Sequence, residues 1–140
     1  MAMRVLIDTN ILLDYLLERE PYCNDARIII KACQQRIIYG SIAAHTVTNI
    51  FYILRKSFSI DERREILLDF CKLLDVQGID TVKIQNSLLN KDFTDFEDCL
   101  QVECAKEFHA DYIVTRNSVD FIKGSIPCVE PDRLCKMLEF

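Results

Sequence analysis

Short apolar runs alternate along the chain with longer segments in which apolar residues recur every three or four positions. The short runs cover residues 3–7, 37–41, 112–115 and 126–129, with a weaker one near Val76. Runs of this length, bounded by polar residues and turn formers, are typical of buried β-strands. The sequence therefore predicts five strands.

The longer segments have the spacing of amphipathic helices. Several carry start or stop signals: Asn10 can cap the first helix, Pro21 suits the first turn of the second, and Lys and Arg end the third. Two capping-box patterns, Ser59-x-x-Glu62 and Thr94-x-x-Glu97, predict further helix starts. The predicted helices run from Asn10 to about Glu20, from Pro21 through Cys33, from Ala44 through Leu54, from Ser59 through Phe70, over 82–89, from Thr94 to about His109, and from Pro131 through Leu138.

Strands that alternate with helices predict an α/β fold, because parallel neighbours need a crossover and the helices then cover both faces of the sheet. We expect three layers, α/β/α, with a mainly parallel central sheet. No repeat, low-complexity segment or Gly- or Pro-rich linker interrupts the chain. Residues 1–140 are accordingly predicted to form a single domain.

The charge balance, the cysteine count and the lengths of the apolar stretches exclude several classes of protein. The chain has 140 residues, with 17 Lys and Arg against 22 Asp and Glu, and a net charge of −5. This balance excludes a broad basic surface, but it does not exclude a nucleic-acid enzyme whose acids surround a cation. The seven cysteines are odd in number and follow no signal peptide, which favours a reduced, cytoplasmic protein. No apolar stretch approaches the roughly 20 residues that span a bilayer.

Three aspartates from distant segments are expected to meet at one edge of the sheet. Asp8 ends the first predicted strand, Asp120 follows the strand at 112–115, and Asp98 lies one turn inside the helix that leads into that strand. Ligands of parallel α/β sheets bind outside the carboxyl ends of the strands. Clustered carboxylates repel one another unless a cation is present, and oxygen ligands without His or thiolate favour Mg²⁺ or Mn²⁺.

Neighbouring polar residues have simpler interpretations. Asp95 and Glu97 fall in the first turn of a helix, where acids complement the helix dipole. Asp14, a little over one turn from Asn10, could orient its neighbours, and His45 could donate a hydrogen bond near the same crevice.

Around these residues the sequence resembles the PIN domain, the nuclease fold of VapC-type toxins. Residues 8–14 read Asp-Thr-Asn-Ile-Leu-Leu-Asp and match the opening motif of that family. Residues 98–105 match its central acidic helix, starting Asp-Cys-Leu-Gln and ending in Ala. Residues 113–117, Ile-Val-Thr-Arg-Asn, and 120–121, Asp-Phe, match its late strand and loop. The resemblance covers essentially the whole chain, in order.

The resemblance implies a metal-dependent endoribonuclease that hydrolyses RNA phosphodiester bonds and acts as the toxin of a VapBC-type toxin–antitoxin pair. It assigns Asp8, Asp98 and Asp120 as catalytic residues and as ligands of Mg²⁺ or Mn²⁺, held directly or through water. Three auxiliary residues, Thr9, Thr115 and Asn117, would support them. Arg116 would bind the RNA backbone, since its planar fork suits phosphate; the weaker candidates for that role are Arg55, Lys56, Lys91 and Lys123.

One position departs from the family pattern. The family usually has a Glu on the third helix, where this chain has Asn49. Asn49 is included in the catalytic set as a polar auxiliary, because its carbonyl oxygen can contact a metal or a bound water without adding charge. The alternative is a catalytically weak or silent PIN domain that acts as a binding module. A phosphoacceptor receiver domain fits less well, because Asp8 has no second acid beside it.

The resemblance also implies partners. Relatives commonly form homodimers and are often inhibited by a small antitoxin, in addition to binding RNA as substrate. The apolar helices near 11–17 and 50–54 are candidate surfaces for these contacts, although such stripes are more often part of the core.

Overall fold

A computed structural model describes residues 2–121 and 124–138 of the chain. Its centre is a five-stranded sheet in the order β3-β2-β1-β4-β5, in which every neighbouring pair is parallel. The strands are β1 (Met3–Ile7), β2 (Ile38–Ala43), β3 (Asp75–Gln77), β4 (Tyr112–Val114) and β5 (Cys128–Val129). The predicted three-layer α/β/α fold with a parallel sheet is confirmed.

Seven helices alternate with these strands in the described residues. They are α1 (Thr9–Leu16), α2 (Cys23–Gln34), α3 (Ala44–Ile53), α4 (Ile60–Leu73), α5 (Thr81–Leu89), α6 (Phe96–Phe108) and α7 (Pro131–Leu138). Short 3₁₀ turns follow α3 at Leu54–Lys56 and follow β4 at Ser118–Phe121.

The two faces of the sheet bury separate apolar cores. On one face Val5 and Ile7 of β1 pack with the helices α1, α2, α3, α4 and α7. On the other, Leu6 packs with α6, including Val102 and Phe108. Successive side chains of a strand point to opposite faces, so a strand with apolar residues at consecutive positions is buried on both sides.

The strand order reverses at β1, and this reversal creates the crevice in which ligands of such sheets bind. From β1 the chain builds β2 and β3 to one side, and then β4 and β5 to the other. The carboxyl ends of β1 and β4 are therefore adjacent, and the backbone N–H of Asp8 donates to the Val114 carbonyl at 3.0 Å. Residues that follow these two strands lie at the topological switch point.

Three predicted helix starts are wrong by one or two residues, and one is right. Asp8, not Asn10, is the N-cap of α1, although its side chain makes no capping hydrogen bond. Asp95, not Thr94, caps α6 by accepting from the backbone N–H of Asp98 at 3.0 Å. Pro21 precedes α2 and is not part of it. The Ser59–Glu62 capping box is confirmed, with both of its hydrogen bonds formed.

The candidate partner surfaces near 11–17 and 50–54 lie partly in the core: Ile11, Leu12, Ile50 and Leu54 are at most 1% exposed, whereas Tyr52 and Ile53 are exposed. Further exposed apolar side chains are concentrated on α5. That helix buries Lys83 and Ser87 and exposes its aliphatic residues, namely Val82, Ile84, Leu88 and Leu89. Within the described residues, no helix combines the length and the apolar character that crossing a bilayer requires.

Candidate active site

A crevice of about 350 Å³ opens at the carboxyl edge of β1. It is bounded by the start of α1, one face of α3 and the first turns of α6. The lining residues are Asp8, Thr9, Asn10, Leu13, His45, Asn49, Tyr52, Ile53, Glu97, Asp98 and Gln101. On α3 the spacing of His45, Asn49, Tyr52 and Ile53 is helical, so these four residues share one face.

Asp8 is held in a fixed orientation at the base of this crevice. It is only 6% exposed, and its two carboxylate oxygens accept hydrogen bonds from different elements. Gln101 Nε2 of α6 donates to Oδ1 at 3.1 Å, and Thr115 Oγ1 donates to Oδ2 at 2.8 Å. Each oxygen keeps a further lone pair, so Asp8 can still bind a cation.

The surroundings of Asp98 favour the protonated form of its carboxyl. Asp98 is the third residue of α6 and lies in the first turn, not a full turn into the helix as the sequence predicts. Burial, and after it the negative charges of Asp95, Asp8, Asp120 and Glu97, together raise the pKa of its carboxyl to about 7. Four negative groups therefore act on Asp98 at this point of the fold.

The Asp120 side chain does not line the crevice, but its negative charge acts on Asp98. It lies exposed in the 3₁₀ turn after β4, where its backbone N–H donates to the Asn117 carbonyl at 2.9 Å. The Asn117 backbone N–H in turn donates to Thr115 Oγ1 at 3.0 Å. The loop that carries Asp120 is therefore hydrogen-bonded to Thr115, which also donates to the Asp8 carboxylate.

Asn49 occupies the position where the family pattern has Glu, and it contacts an acid on the opposite helix. Its Nδ2 donates to Glu97 Oε2 at 3.2 Å, across the crevice from α3 to α6. Glu97 therefore has a contact in the crevice in addition to its favourable position in the helix dipole. Thr9, beside Asp8, exchanges a hydrogen bond of 2.9 Å with Thr46 and so joins α1 to α3.

Arg116 forms an ion pair with a buried acid of the same chain. Its Nε and Nη2 donate to the two carboxylate oxygens of Asp14 at 2.8 and 3.1 Å, and its guanidinium stacks 4.0 Å from the Tyr22 ring centroid. Asp14 is fully buried, and Arg19 lies 3.7 Å away. This ion pair accounts for the position of Arg116 without a substrate, and the predicted phosphate contact stays a prediction. Lys123, a weaker candidate, lies outside the described residues.

Two polar atoms of the crevice lack hydrogen-bond partners in the described part of the chain: Gln101 Oε1 and His45 Nδ1. Gln101 is only 3% exposed. Burial lowers the pKa of His45, although the nearby carboxylates of Glu97 and Asp8 oppose that shift. Gln101 is not among the site residues predicted from sequence, although it follows Asp98 by three residues and so shares its helix face.

The donor set fits a hydrated hard cation. In the ranges 2–121 and 124–138, no three Asp, Glu, His or Cys side chains lie close enough to enclose one ion. Mg²⁺ retains several waters and needs only one or two protein carboxylates. Oxygen donors from Asp8 and Asp98, with negative charge from Asp120 and Glu97 nearby, meet that requirement. Direct coordination by Asp8, Asp98 and Asp120 together is not seen.

Fold and site together define a class: a three-layer protein with a parallel sheet and an acidic crevice at its switch point. The sequence matches the PIN domain family over residues 4–118, and the chain belongs to that family. No curated relative matches the sequence.

Solved structures with this fold include several toxin–antitoxin complexes. A toxin–antitoxin complex from Klebsiella pneumoniae aligns with a TM-score of 0.68 and 21% identity over 91% of this chain and 97% of that one. VapBC-1 from nontypeable Haemophilus influenzae gives 0.66 and 16% over 93% and 99%. VapBC2 from Rickettsia felis, bound to a promoter DNA fragment, gives 0.63 and 18% over 91% and 98%. At these identities the likeness establishes the fold.

Proposed function

We propose that this protein is a metal-dependent endoribonuclease that acts as the toxin of a toxin–antitoxin pair. The observation that carries the proposal is the meeting of Asp8 and Asp98 in one crevice at the switch point, with the charge of Asp120 acting on Asp98. Such a concentration of carboxylates suits the binding of a divalent cation.

Each residue of the site has a proposed role. Asp8 and Asp98 hold Mg²⁺ or Mn²⁺, and Asp120 contributes through water. Thr115 and Thr9 fix the surrounding backbone and acids, Asn117 ties the loop to Thr115, and Asn49 orients the Glu97 carboxylate. When bound, the cation supplies a water that is deprotonated more readily and stabilises charge on the phosphate. Hydrolysis would form a bond from the water oxygen to phosphorus and break the bond to the leaving ribose oxygen; the water would lose a proton to solvent and the ribose oxygen would gain one from it.

A cleavage assay tests this function. Wild-type protein with Mg²⁺ or Mn²⁺ should cut single-stranded RNA, EDTA should abolish cutting, and Asp8→Asn should lower the rate at least about 100-fold, as loss of a metal ligand would. Asp69→Asn, on the exposed side of α4, is the matched control and should cut normally. Equal cleavage by wild type and Asp8→Asn would refute the proposal.

The alternative function, a silent PIN domain that only binds partners, is favoured by Asn49. In Asn49→Glu a second carboxylate would face Glu97, 3.2 Å from the present amide, and only a cation would relieve the repulsion. We expect this variant to bind Mn²⁺ more tightly in calorimetry. If wild type does not cut RNA and Asn49→Glu does, the natural protein is the silent form.

The proposed partners are an RNA substrate, a small antitoxin protein and a second copy of the chain. The antitoxin proposal rests on the family and on the toxin–antitoxin complexes that share the fold. A cytoplasmic location is also proposed and is supported by seven cysteines that are all free thiols. Co-expression with the product of a small reading frame just upstream should yield a stable complex in which RNA cleavage is suppressed.

A further inference from the structure

The face of α3 that lines the crevice extends outward from the acids to an exposed aromatic ring. Asn49 lies opposite Glu97, and Tyr52 follows it on the same face three residues later. The Tyr52 side chain lines the same crevice as Asp98, yet it is 62% exposed. A large aromatic side chain with that exposure, beside a candidate catalytic centre, has most of its ring available for a ligand.

A cation supports this ring. The Arg55 guanidinium lies 3.8 Å from the Tyr52 ring centroid, and Arg55 Nη1 donates to the Tyr52 carbonyl at 2.9 Å. Arg55 and Lys56 belong to the 3₁₀ turn that continues α3, and neither forms an ion pair with an acid among residues 2–121 and 124–138. The turn therefore presents two uncompensated positive charges next to an aromatic surface, in a protein with a net charge of −5.

We propose that Tyr52, supported by Arg55, stacks an unpaired nucleobase of single-stranded RNA beside the acidic crevice, while Arg55 and Lys56 contact the flanking phosphates. Aromatic rings combined with cations are the means by which proteins hold single strands, because every base has a π-face and every nucleotide a phosphate. A base inside a duplex is already stacked on both sides and is not available to the ring. The inference rests on the proposed ribonuclease function and adds to it a base-binding residue, Tyr52, that lies outside the acidic set.

Binding of a labelled single-stranded RNA of roughly 12 nucleotides, within the range of single-strand binding sites, tests the proposal. Fluorescence anisotropy is measured with Mg²⁺ in an Asp98→Asn background, which prevents cleavage. Adding Tyr52→Ala should weaken binding roughly 5- to 150-fold, whereas Tyr52→Phe and Tyr52→Trp should retain it. Leu88→Ala, which removes an equally exposed side chain from α5, is the matched control and should bind normally.

A spectroscopic signal separates stacking from a merely structural role of the ring. The fluorescence of 2-aminopurine in the RNA should be quenched when the base stacks on Tyr52, and Tyr52→Ala should abolish that quenching at saturating protein. With active protein, Tyr52→Ala should raise KM for single-stranded RNA more than it lowers kcat, because the ring binds the base and touches no reacting atom. Thermal unfolding should show the same Tm for Tyr52→Ala and Tyr52→Phe.

The failure of this inference is distinct from the failure of the proposed function. If wild type cuts RNA and Tyr52→Ala binds and cuts it equally well, the inference is refuted and the function stands. If wild type cuts nothing but binds single-stranded RNA through Tyr52, the function fails and the inference stands. If Tyr52→Ala leaves RNA binding unchanged and instead alters the mass measured by light scattering, the ring belongs to a protein interface and the inference is refuted.

Discussion

Asp98 links the stability of this protein to pH. The pKa of its carboxyl is raised to about 7 in the fold, first by burial and then by the surrounding acids, against about 3.9 in an unfolded chain. The folded protein thus holds the proton more tightly than the unfolded chain does. The stability contributed by Asp98 is complete below about pH 4 and is lost as the pH rises through about 7.

Asp98→Asn should therefore stabilise the cation-free protein at pH 8 and leave it nearly unchanged at pH 4. We expect a gain of about 1–2 kcal/mol at pH 8, less than the pKa shift alone implies because water screens this half-buried group. Urea unfolding in EDTA at both pH values measures the gain. Asp69→Asn should show no such pH dependence, and adding Mg²⁺ should stabilise the wild type more than Asp98→Asn. An equal gain at pH 4 and pH 8 would contradict this account.

Arg116 is expected to matter for stability. It is the bidentate partner of Asp14, whose side chain is fully buried. Arg116→Ala would leave that buried carboxylate with only Arg19, at 3.7 Å, as counter-charge. Losing one partner of a buried pair costs about 3–5 kcal/mol, and because Arg19 remains we expect about 3 kcal/mol in urea unfolding.

Adding Asp14→Asn to Arg116→Ala removes the stranded charge and should restore most of the lost stability. If Arg116→Ala unfolds like wild type but binds RNA weakly, the ion pair is dispensable and Arg116 acts on the substrate. These variants separate the two roles that the sequence alone could not distinguish.

At the scale of elements, β2 depends on the absence of a side chain at Gly40. A Cβ built there would lie 2.6 Å from Leu74 Cδ2, 2.9 Å from Cys33 Sγ and 3.3 Å from Ile7 Cδ1. These contacts come from α2, from the segment after α4 and from the adjacent strand, so no single neighbour can relieve them all. The layers on this face of the sheet pack closely because residue 40 has no side chain.

Gly40→Ala should lower the free energy of unfolding by about 1–3 kcal/mol, the usual cost of overpacking a core. Gly78→Ala is the matched control, because a Cβ at Gly78 would meet no atom within 4 Å. Chemical denaturation of the two variants tests the difference. Equal stabilities would mean that the core around β2 adjusts freely.

Local sequence patterns predict some helix starts of this protein correctly and others incorrectly. Ser59 and Glu62 satisfy each other within a single turn, so the pattern alone identified that start. Asn10 and Thr94 are equally good caps by residue type, but the actual starts lie elsewhere. Ile7 is the last residue of β1 in register with β4, and the next residue, Asp8, is the N-cap of α1.

The whole molecule carries a net charge of −5, so RNA binding must rely on few cationic contacts. With Arg55 and Lys56 as the phosphate contacts, the logarithm of the binding constant should fall with the logarithm of salt concentration with a slope of about −1.4. Affinity should then drop only about 7-fold between roughly 50 and 200 mM NaCl at fixed Mg²⁺. Anisotropy titrations of Asp98→Asn measure the slope. A slope of −5 or steeper would indicate a basic groove that contradicts this picture.

The sequence by itself determined the α/β architecture, the family and two of the three acids that line the crevice, Asp8 and Asp98. Hydrophobic periodicity reports which side of each element is buried, and strand ends in a parallel sheet necessarily lie on one edge. Tertiary structure alone decided how those groups are engaged: Gln101 and Thr115 hold Asp8, Glu97 contacts Asn49, and Asp14 pairs with Arg116 across about 100 residues of chain. Such contacts depend on distances between remote segments, which local patterns do not encode.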